Sequence, residues 1–240
     1  MTEIVFTIFP FIIFFVVFFI NDHIINGPYR KIISSFNKGF YGSALEKQAE
    51  FERSELLLSF EKSQSKTKTT KKIATLNYIL AVSAFSRNSD ELFLKNINLL
   101  QNSHHEKDRL FWLTMYHIKN SNLPRAQENW DQLLSLSKVK TAEIVLLEGL
   151  LRYKKGSPSE GITLVRNAKL NLKMPILKHI AKQFLETKVI DTKDILKEQI
   201  VFHSSLSMER REKQNKIIIV CGIILGLVLF VFLSEWLLVS

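Results

Sequence analysis

The sequence predicts an all-α membrane protein, in which a domain of stacked helical hairpins is joined to one membrane-spanning helix at each end. Two uncharged apolar runs lie near the ends of the 240-residue chain. Between them, apolar residues recur at helical spacing, and short polar turns interrupt this spacing at nearly equal intervals. Such self-similarity is typical of helical hairpins that stack because none of them can bury its apolar face alone.

The first apolar run covers residues 4–20 and reads IVFTIFPFIIFFVVFFI. Its length of about 17 residues is at the short end of what a hydrocarbon core of roughly 30 Å requires. A cleaved secretory signal would begin with basic residues and end in small ones, whereas Glu3 precedes this run and Asn21 and Asp22 follow it. We therefore predict a retained transmembrane helix at residues 4–20.

Residues 21–61 are predicted to form a juxtamembrane segment. Asn26-Gly27-Pro28 breaks the first helix, because proline lacks an amide donor and restricts the residue before it. The stretch that follows is either an amphipathic helix at the membrane interface or a simple loop, and its apolar residues are Ile32, Ile33, Phe36, Phe40 and Tyr41. A solvent-exposed helix with a narrow apolar stripe comes next, through Leu45, Ala49, Leu56 and Phe60.

Residues 62–72, KSQSKTKTTKK, contain no apolar side chain. They are predicted to be a flexible basic linker, which is either solvated or docked on lipid headgroups.

Residues 73–203 are predicted to be a helical domain of three hairpins. Each hairpin has an apolar-periodic helix, a short polar turn and a second such helix, and the turns are residues 87–90, 120–122 and 155–158. Two further helices are expected to close the stack, one beginning at Pro175 and one at about Thr192, because an open end would leave apolar surface in water.

The hairpins resemble tetratricopeptide (TPR) repeats. In that family a small residue follows the turn, a large one comes four residues later, and a small or aliphatic one three after that. The second hairpin matches best, with Ala126, Trp130 and Leu133 after the turn; the other sets are Gly161, Val165 and Ala168, and Phe93, Ile97 and Leu100, with Gly149 and Ala81 as small residues of the first helices. The steps of 33 and 35 residues between these sets are close to the family period of 34.

The resemblance covers residues 74 to 175 and has departures. Phe93 is large where the family has a small residue, and no proline stands at the repeat ends. A generic solenoid of helical hairpins is therefore the alternative.

A TPR-like stack implies a concave groove, lined by the first helices, that holds an extended peptide or a helix of a protein partner. In this register the partner-binding residues would be Tyr78, Val82, Phe85, Phe111, Met115, Lys119, Leu150, Tyr153 and Lys154. Lys119 and Lys154 would clamp an acidic group. The alternative for each aromatic residue is a place in the core.

The second apolar run begins at Ile217 and predicts a transmembrane helix at residues 217–239. Gly222 and Gly226 lie on one face of it, at a spacing that permits transmembrane helix packing. The single cysteine, Cys221, also lies in this run, which excludes an intrachain disulfide.

The basic residues beside the two spans predict the orientation. Arg30 and Lys31 follow the first span, and Arg210 and Arg211 precede the second; all four are predicted to face lipid. Because lysine and arginine are retained on the cytoplasmic side, both termini are predicted outside and the central domain in the cytoplasm. All 33 Lys and Arg lie between the spans, whereas Glu3 and Glu235 of the 23 acids do not, so the middle part has a formal charge of +12.

A cationic domain beside a membrane attracts anionic lipid or an acidic protein. Nucleic acid is not expected as a partner, because no recognised binding motif is present. The sequence has no phosphate-binding glycine loop, zinc-ligand spacing or nucleophile motif. We therefore predict no enzyme activity, no metal, no cofactor and no small-molecule substrate.

Three functions fit this architecture. The first is a membrane-anchored scaffold or adaptor that binds a protein partner in the TPR-like groove. The second is an accessory subunit of a membrane transport or secretion complex, which associates through its transmembrane helices. The third is a sensor of anionic lipid surfaces.

Overall fold

The structure is a computed structural model that describes residues 27–60, 66–192 and 195. These residues belong to one compact unit, residues 1–196. The predicted spans at 4–20 and 217–239 lie outside the described residues, as do Arg210, Arg211, Gly222 and Gly226. None of the helices within the described ranges has both the length and the apolarity that crossing a bilayer requires.

Every regular element in the described residues is an α-helix, which confirms the all-α prediction. Helix α1 is described over residues 27–37. The helices after it are α2 (Ser43–Phe60), α3 (Lys66–Ser86), α4 (Asp90–Asn98), α5 (Glu106–Lys119), α6 (Leu123–Leu136), α7 (Ala142–Lys154), α8 (Pro158–Lys169) and α9 (Pro175–Thr187).

The helices form a repeat-like bundle that is compatible with a helical solenoid. Helices α3–α4, α5–α6 and α7–α8 are hairpins, and α2 packs against α3. Helices α3, α5 and α7 form an inner row, in which α5 contacts both of its neighbours, whereas α2, α4, α6 and α8 form an outer row. Thr75 Oγ1 lies 3.2 Å from His105 Nε2, and Asn88 accepts a 2.5 Å hydrogen bond from Lys119 Nζ, so α3 and α5 run in parallel.

The three predicted hairpin turns are confirmed, and each contains one residue with positive φ. These residues are Asn88 at 57°, Ser121 at 56° and Gly156 at 96°. A left-handed residue after the last helical turn ends a helix, because it redirects the chain while the last carbonyl groups stay bonded. Asn122 then caps α6 by accepting from the Arg125 amide, and Pro158 begins α8.

The small residues predicted within the third hairpin let its helices touch. A Cβ atom on Gly161 would lie 2.6 Å from the Gly149 carbonyl oxygen and 2.7 Å from the Tyr153 amide nitrogen. Val165 and Ala168 are buried on the same helix. Helices α7 and α8 can therefore approach with backbone against backbone, which a side chain at Gly161 would prevent.

Helices α1 and α2, which lie within the predicted juxtamembrane segment at residues 21–61, share the core of the hairpins. Ile32, Phe36 and Tyr41 are buried in the same core as the hairpins, and so are Leu45 and Ala49. Phe36 packs against Tyr78 of α3, and Tyr41 forms a hydrogen bond with the backbone of Ile176 in α9. Helices α1 and α2 therefore belong to the helical domain, and α2 packs directly against α3.

The prediction of a flexible linker at residues 62–72 is wrong from Lys66 onward, since α3 begins there. The buried part of α3 starts only at Ala74. Once that part is packed, adding further residues to the helix carries little cost, and lysine is a good helix former. The lack of apolar residues in this stretch shows that its side chains face solvent. It does not show that the backbone is not helical.

The first closing helix is confirmed as α9, which buries Leu177, Ile180, Ala181 and Phe184. Of the second closing helix, only Thr192 and Ile195 are described, and both are buried.

We expect Gly161→Ala to lower the free energy of unfolding by about 3 kcal/mol, because the new methyl group meets backbone atoms that cannot move aside. Gly42→Ala is the matched control, since nothing lies within 4 Å of its Cβ position. Chemical denaturation of the full chain in detergent measures both variants. Equal stability of the two variants would contradict the close contact of α7 and α8.

Candidate partner-binding site

The inner row was predicted to line an open groove, and the structure places most of the predicted residues in the core instead. Val82, Phe85, Phe111, Met115 and Leu150 are all buried. In this structure these five side chains belong to the hydrophobic core and do not line an open groove. Tyr78, Lys119, Tyr153 and Lys154 are half-buried.

The chain itself fills the predicted groove. The Tyr153 ring packs edge-on against Phe184 of α9, with ring centres 4.9 Å apart. Tyr78 donates a hydrogen bond to Met174 Sδ at 3.7 Å and packs against Phe36 of α1. Burial consequently raises the pKa of the Tyr78 hydroxyl.

The segment after α9 covers the other end of the inner row. The Thr192 hydroxyl lies 3.5 Å from the Phe85 carbonyl oxygen and 3.4 Å from Asn88 Oδ1, and it donates into this pair of acceptors. Ile190 and Ile195 are buried on either side of Thr192. The groove in this structure is therefore an internal interface.

Of the two lysines predicted to clamp an acidic group, Lys119 contacts the chain itself. Lys119 Nζ donates to Asn88 and lies 5.1 Å from the centre of the Phe85 ring, so this ammonium group is already engaged. Its contacts join α5 to the turn after α3.

The outer face of α2 is the feature that the sequence reasoning missed. Phe51 is 67% exposed and Leu58 is 66% exposed, seven residues later on the same side of the helix, and Leu57 beside it is 49% exposed. The opposite side of α2 carries the predicted stripe, in which Leu45 and Ala49 are buried. Helix α2 therefore has two apolar faces, which one narrow stripe did not predict.

Polar contacts hold the inner side of α2 in a fixed position. Arg53 Nη1 donates to Asn77 Oδ1 of α3 at 3.0 Å and to Asn96 Oδ1 of α4 at 2.9 Å, and both asparagines are buried. Glu46 forms an ion pair with Arg87 at the end of α3. The position of α2 on the first hairpin is thus fixed by groups that lose their partners if the helix moves.

Two of the four basic residues predicted to face lipid lie within the described residues. Arg30 and Lys31 are exposed at the beginning of α1. Lys72 Nζ lies 5.3 Å from the centre of the Tyr29 ring, so the start of α1 lies beside the early part of α3.

In the described residues, no group of three or more His, Cys, Asp or Glu side chains could hold a metal ion. His105 Nδ1 lies 2.7 Å from Asp108 Oδ2, and its ring stacks on Tyr78 with ring centres 4.8 Å apart. This histidine therefore serves as a packing residue at the start of α5.

Comparison with known proteins finds no matching family model, no matching curated protein and no matching solved structure.

We expect Met115→Ala and Leu150→Ala each to lower the free energy of unfolding by about 3 kcal/mol, as truncation of a buried side chain does. Lys154→Ala, at the rim of the same row, should change it by less than about 0.5 kcal/mol. Denaturation of the full chain in detergent separates the two cases. An unchanged free energy of unfolding for Met115→Ala would show that Met115 is not packed in the core and would support an open groove.

Proposed function

We propose that this chain is a membrane-anchored adaptor whose helical-repeat domain binds a helical segment of a protein partner on the outer face of α2. The domain would be a divergent TPR-like solenoid, and the predicted spans at 4–20 and 217–239 would hold it at the cytoplasmic face of a membrane. The exposed stripe on α2 is the observation that carries the proposal.

The position of α2 at the end of the stack supports this function. In a solenoid each hairpin buries the apolar face of its neighbour, so a terminal helix normally has a polar outer face. Helix α2 has Phe51 and Leu58 there instead. Two exposed apolar side chains along one helix suit the packing of one more helix, because helix-on-helix packing has already built the rest of the domain.

The chemistry of the face suits an amphipathic helix. Phe51 and Leu58 are two turns apart, which matches the spacing of apolar anchors when a helix lies along another helix. Lys47 and Glu55 are exposed beside them. The aromatic side chain would supply most of the buried area, and the two charges would select the direction of the partner.

A photo-crosslinking amino acid at position 51 of the full chain tests this proposal in native membranes. We expect an adduct with a second protein, mapped to a segment whose apolar residues recur every three to four positions. The same probe at Gln132, exposed on the outer-row helix α6, is the matched control and should give no adduct. Leu58→Glu should abolish the adduct from position 51.

Three outcomes would contradict the proposal. These are no adduct at position 51, an adduct with a second copy of this chain, or an adduct that persists in the Leu58→Glu variant. If Gly222→Leu/Gly226→Leu removes the partner while Leu58→Glu does not, the chain is an accessory subunit held by its transmembrane helices.

The proposed topology gives a separate prediction. In a Cys221→Ala background, a cysteine at Ser157 should react with a membrane-impermeant maleimide only after the cells are opened. A cysteine at Thr2 should react in intact cells, because the amino terminus is proposed to lie outside. Labelling at position 157 in intact cells would show that the helical domain is not cytoplasmic.

A further inference from the structure

The two edges of the solenoid, where the chain reverses direction, differ in chemistry. At one edge, named here the turn edge, lie residues 87–89, 120–122 and 155–157. They are Arg-Asn-Ser, Asn-Ser-Asn and Lys-Gly-Ser, and none of them is apolar. At the other edge, the connector edge, lie the segments that join successive hairpins: residues 99–105, 137–141 and 170–174, with the last turn of α2 and the start of α3.

Exposed apolar side chains concentrate at the connector edge. In the described residues, nine large apolar side chains are exposed, and seven of them lie in a connector or in the last turn of the helix before it. Three lie in successive connectors, where Leu99 is 56% exposed, Val139 71% and Leu170 82%. The other four are Leu57, Leu58, Leu134 and Leu136.

Side-chain contacts show that these segments share an edge. His105, in the first connector, lies beside Thr75 of α3, whereas Lys119 at the far end of α5 bonds to Asn88 of the turn edge. Lys155, after α7, donates to Gln127 in the first turn of α6 at 2.5 Å. The inner-row helices therefore run in the same direction, so each of them starts at the connector edge and ends at the turn edge.

Basic residues accompany these apolar side chains. The exposed cations in or beside the connectors are Lys71, Lys95, Lys107, Lys138, Lys140, Lys169 and Lys173. The three connectors themselves contain no acid. The nearby acids are Glu106, Asp108, Glu143 and Glu148; Glu106 pairs with Arg109, Asp108 contacts His105, and Glu148 pairs with Lys140 and Arg152.

The chain also enters the domain at this edge. Lys72, near the start of α3, lies against Tyr29 near the start of α1, and the exposed Arg30 follows. Six residues separate the predicted span at 4–20 from residue 27. Even fully extended, this stretch reaches about 25 Å at most, so the end of the span and the connector edge are held close together.

We propose that the connector edge is a membrane-docking surface, which places Leu99, Val139 and Leu170 among the headgroups of an anionic bilayer with lysines on either side. This inference rests on the membrane tether of the proposed function but not on the partner of α2. Val139 stands between Lys138 and Lys140, and Leu170 follows Lys169, so each apolar side chain has a cation beside it. This pattern suits the headgroup region of an anionic bilayer, where single apolar side chains can insert and lysines meet negative charge.

Environment-sensitive probes on the full chain test this surface. In a Cys221→Ala background, a fluorophore is attached to a cysteine at Val139 or at Leu170, and the control is a cysteine at Ser157 of the turn edge. The labelled chains are placed in lipid nanodiscs of phosphatidylcholine with phosphatidylglycerol. We expect blue-shifted emission and protection from iodide at Val139 and Leu170, and neither effect at Ser157.

Charge gives the second arm of the test. Discs of phosphatidylcholine alone, or high salt, should weaken the protection, because headgroup attraction is screened over a Debye length of about 10 Å at 0.1 M ionic strength. Lys138→Gln and Lys169→Gln should each lower the ratio of docked to undocked chains about fivefold.

Equal iodide access at the three positions in anionic discs would overturn the proposal. Protection that is the same in neutral lipid and unaffected by the lysine variants would overturn the role of anionic headgroups. Protection seen in native membranes but not in lipid-only discs would assign this edge to a protein. If the chain does not insert into the discs, the proposed membrane tether is wrong. Sedimentation of the same labelled chains with vesicles then tests the connector edge independently of the tether.

Discussion

The burial of the inner row from two sides is the constraint on which the rest of this structure depends. Helices α3, α5 and α7 pack against the outer row on one side, and α1, α9 and Thr192 cover parts of the other. Side chains such as Phe85 and Met115 are therefore buried in the core. Since the concave side is closed by the chain itself, surfaces for other molecules must be found on the outer row and at the edges.

The sequence predicted the hairpins well because their signals are local. Each turn joins a polar cluster to a helix end and needs one left-handed residue, which Asn88, Ser121 and Gly156 provide. The small residues Gly149 and Gly161 likewise predict a close helix contact, and the backbones of α7 and α8 meet at these two glycines. These features depend on neighbours a few residues away, so their spacing is visible in the sequence.

The prediction was wrong where a residue's surroundings come from distant parts of the chain. Tyr78 looks like a groove residue in its own repeat, but Phe36 and Met174, respectively 42 and 96 residues away, cover it. Phe51 was not selected because its helix already had an apolar stripe on the other side. Periodicity shows that a helix has an apolar face but does not show which neighbour covers that face.

The polar contacts under α2 connect the fold to the proposed function. Arg53 satisfies two buried asparagine oxygens at once, and an unsatisfied buried acceptor costs about 1–3 kcal/mol. Helix α2 is therefore held in one position. A partner that binds its outer face does not have to order the helix first, which a mobile helix would require.

The stripe of exposed apolar residues on this face also runs toward the connector edge, since Leu58 lies in the last turn of α2. With the connector edge on the bilayer, a partner helix lying along α2 would have one end at the headgroups. A helix that leaves a membrane and continues into the cytoplasm meets both conditions, because its first turns are already at that depth and its apolar face can continue along α2.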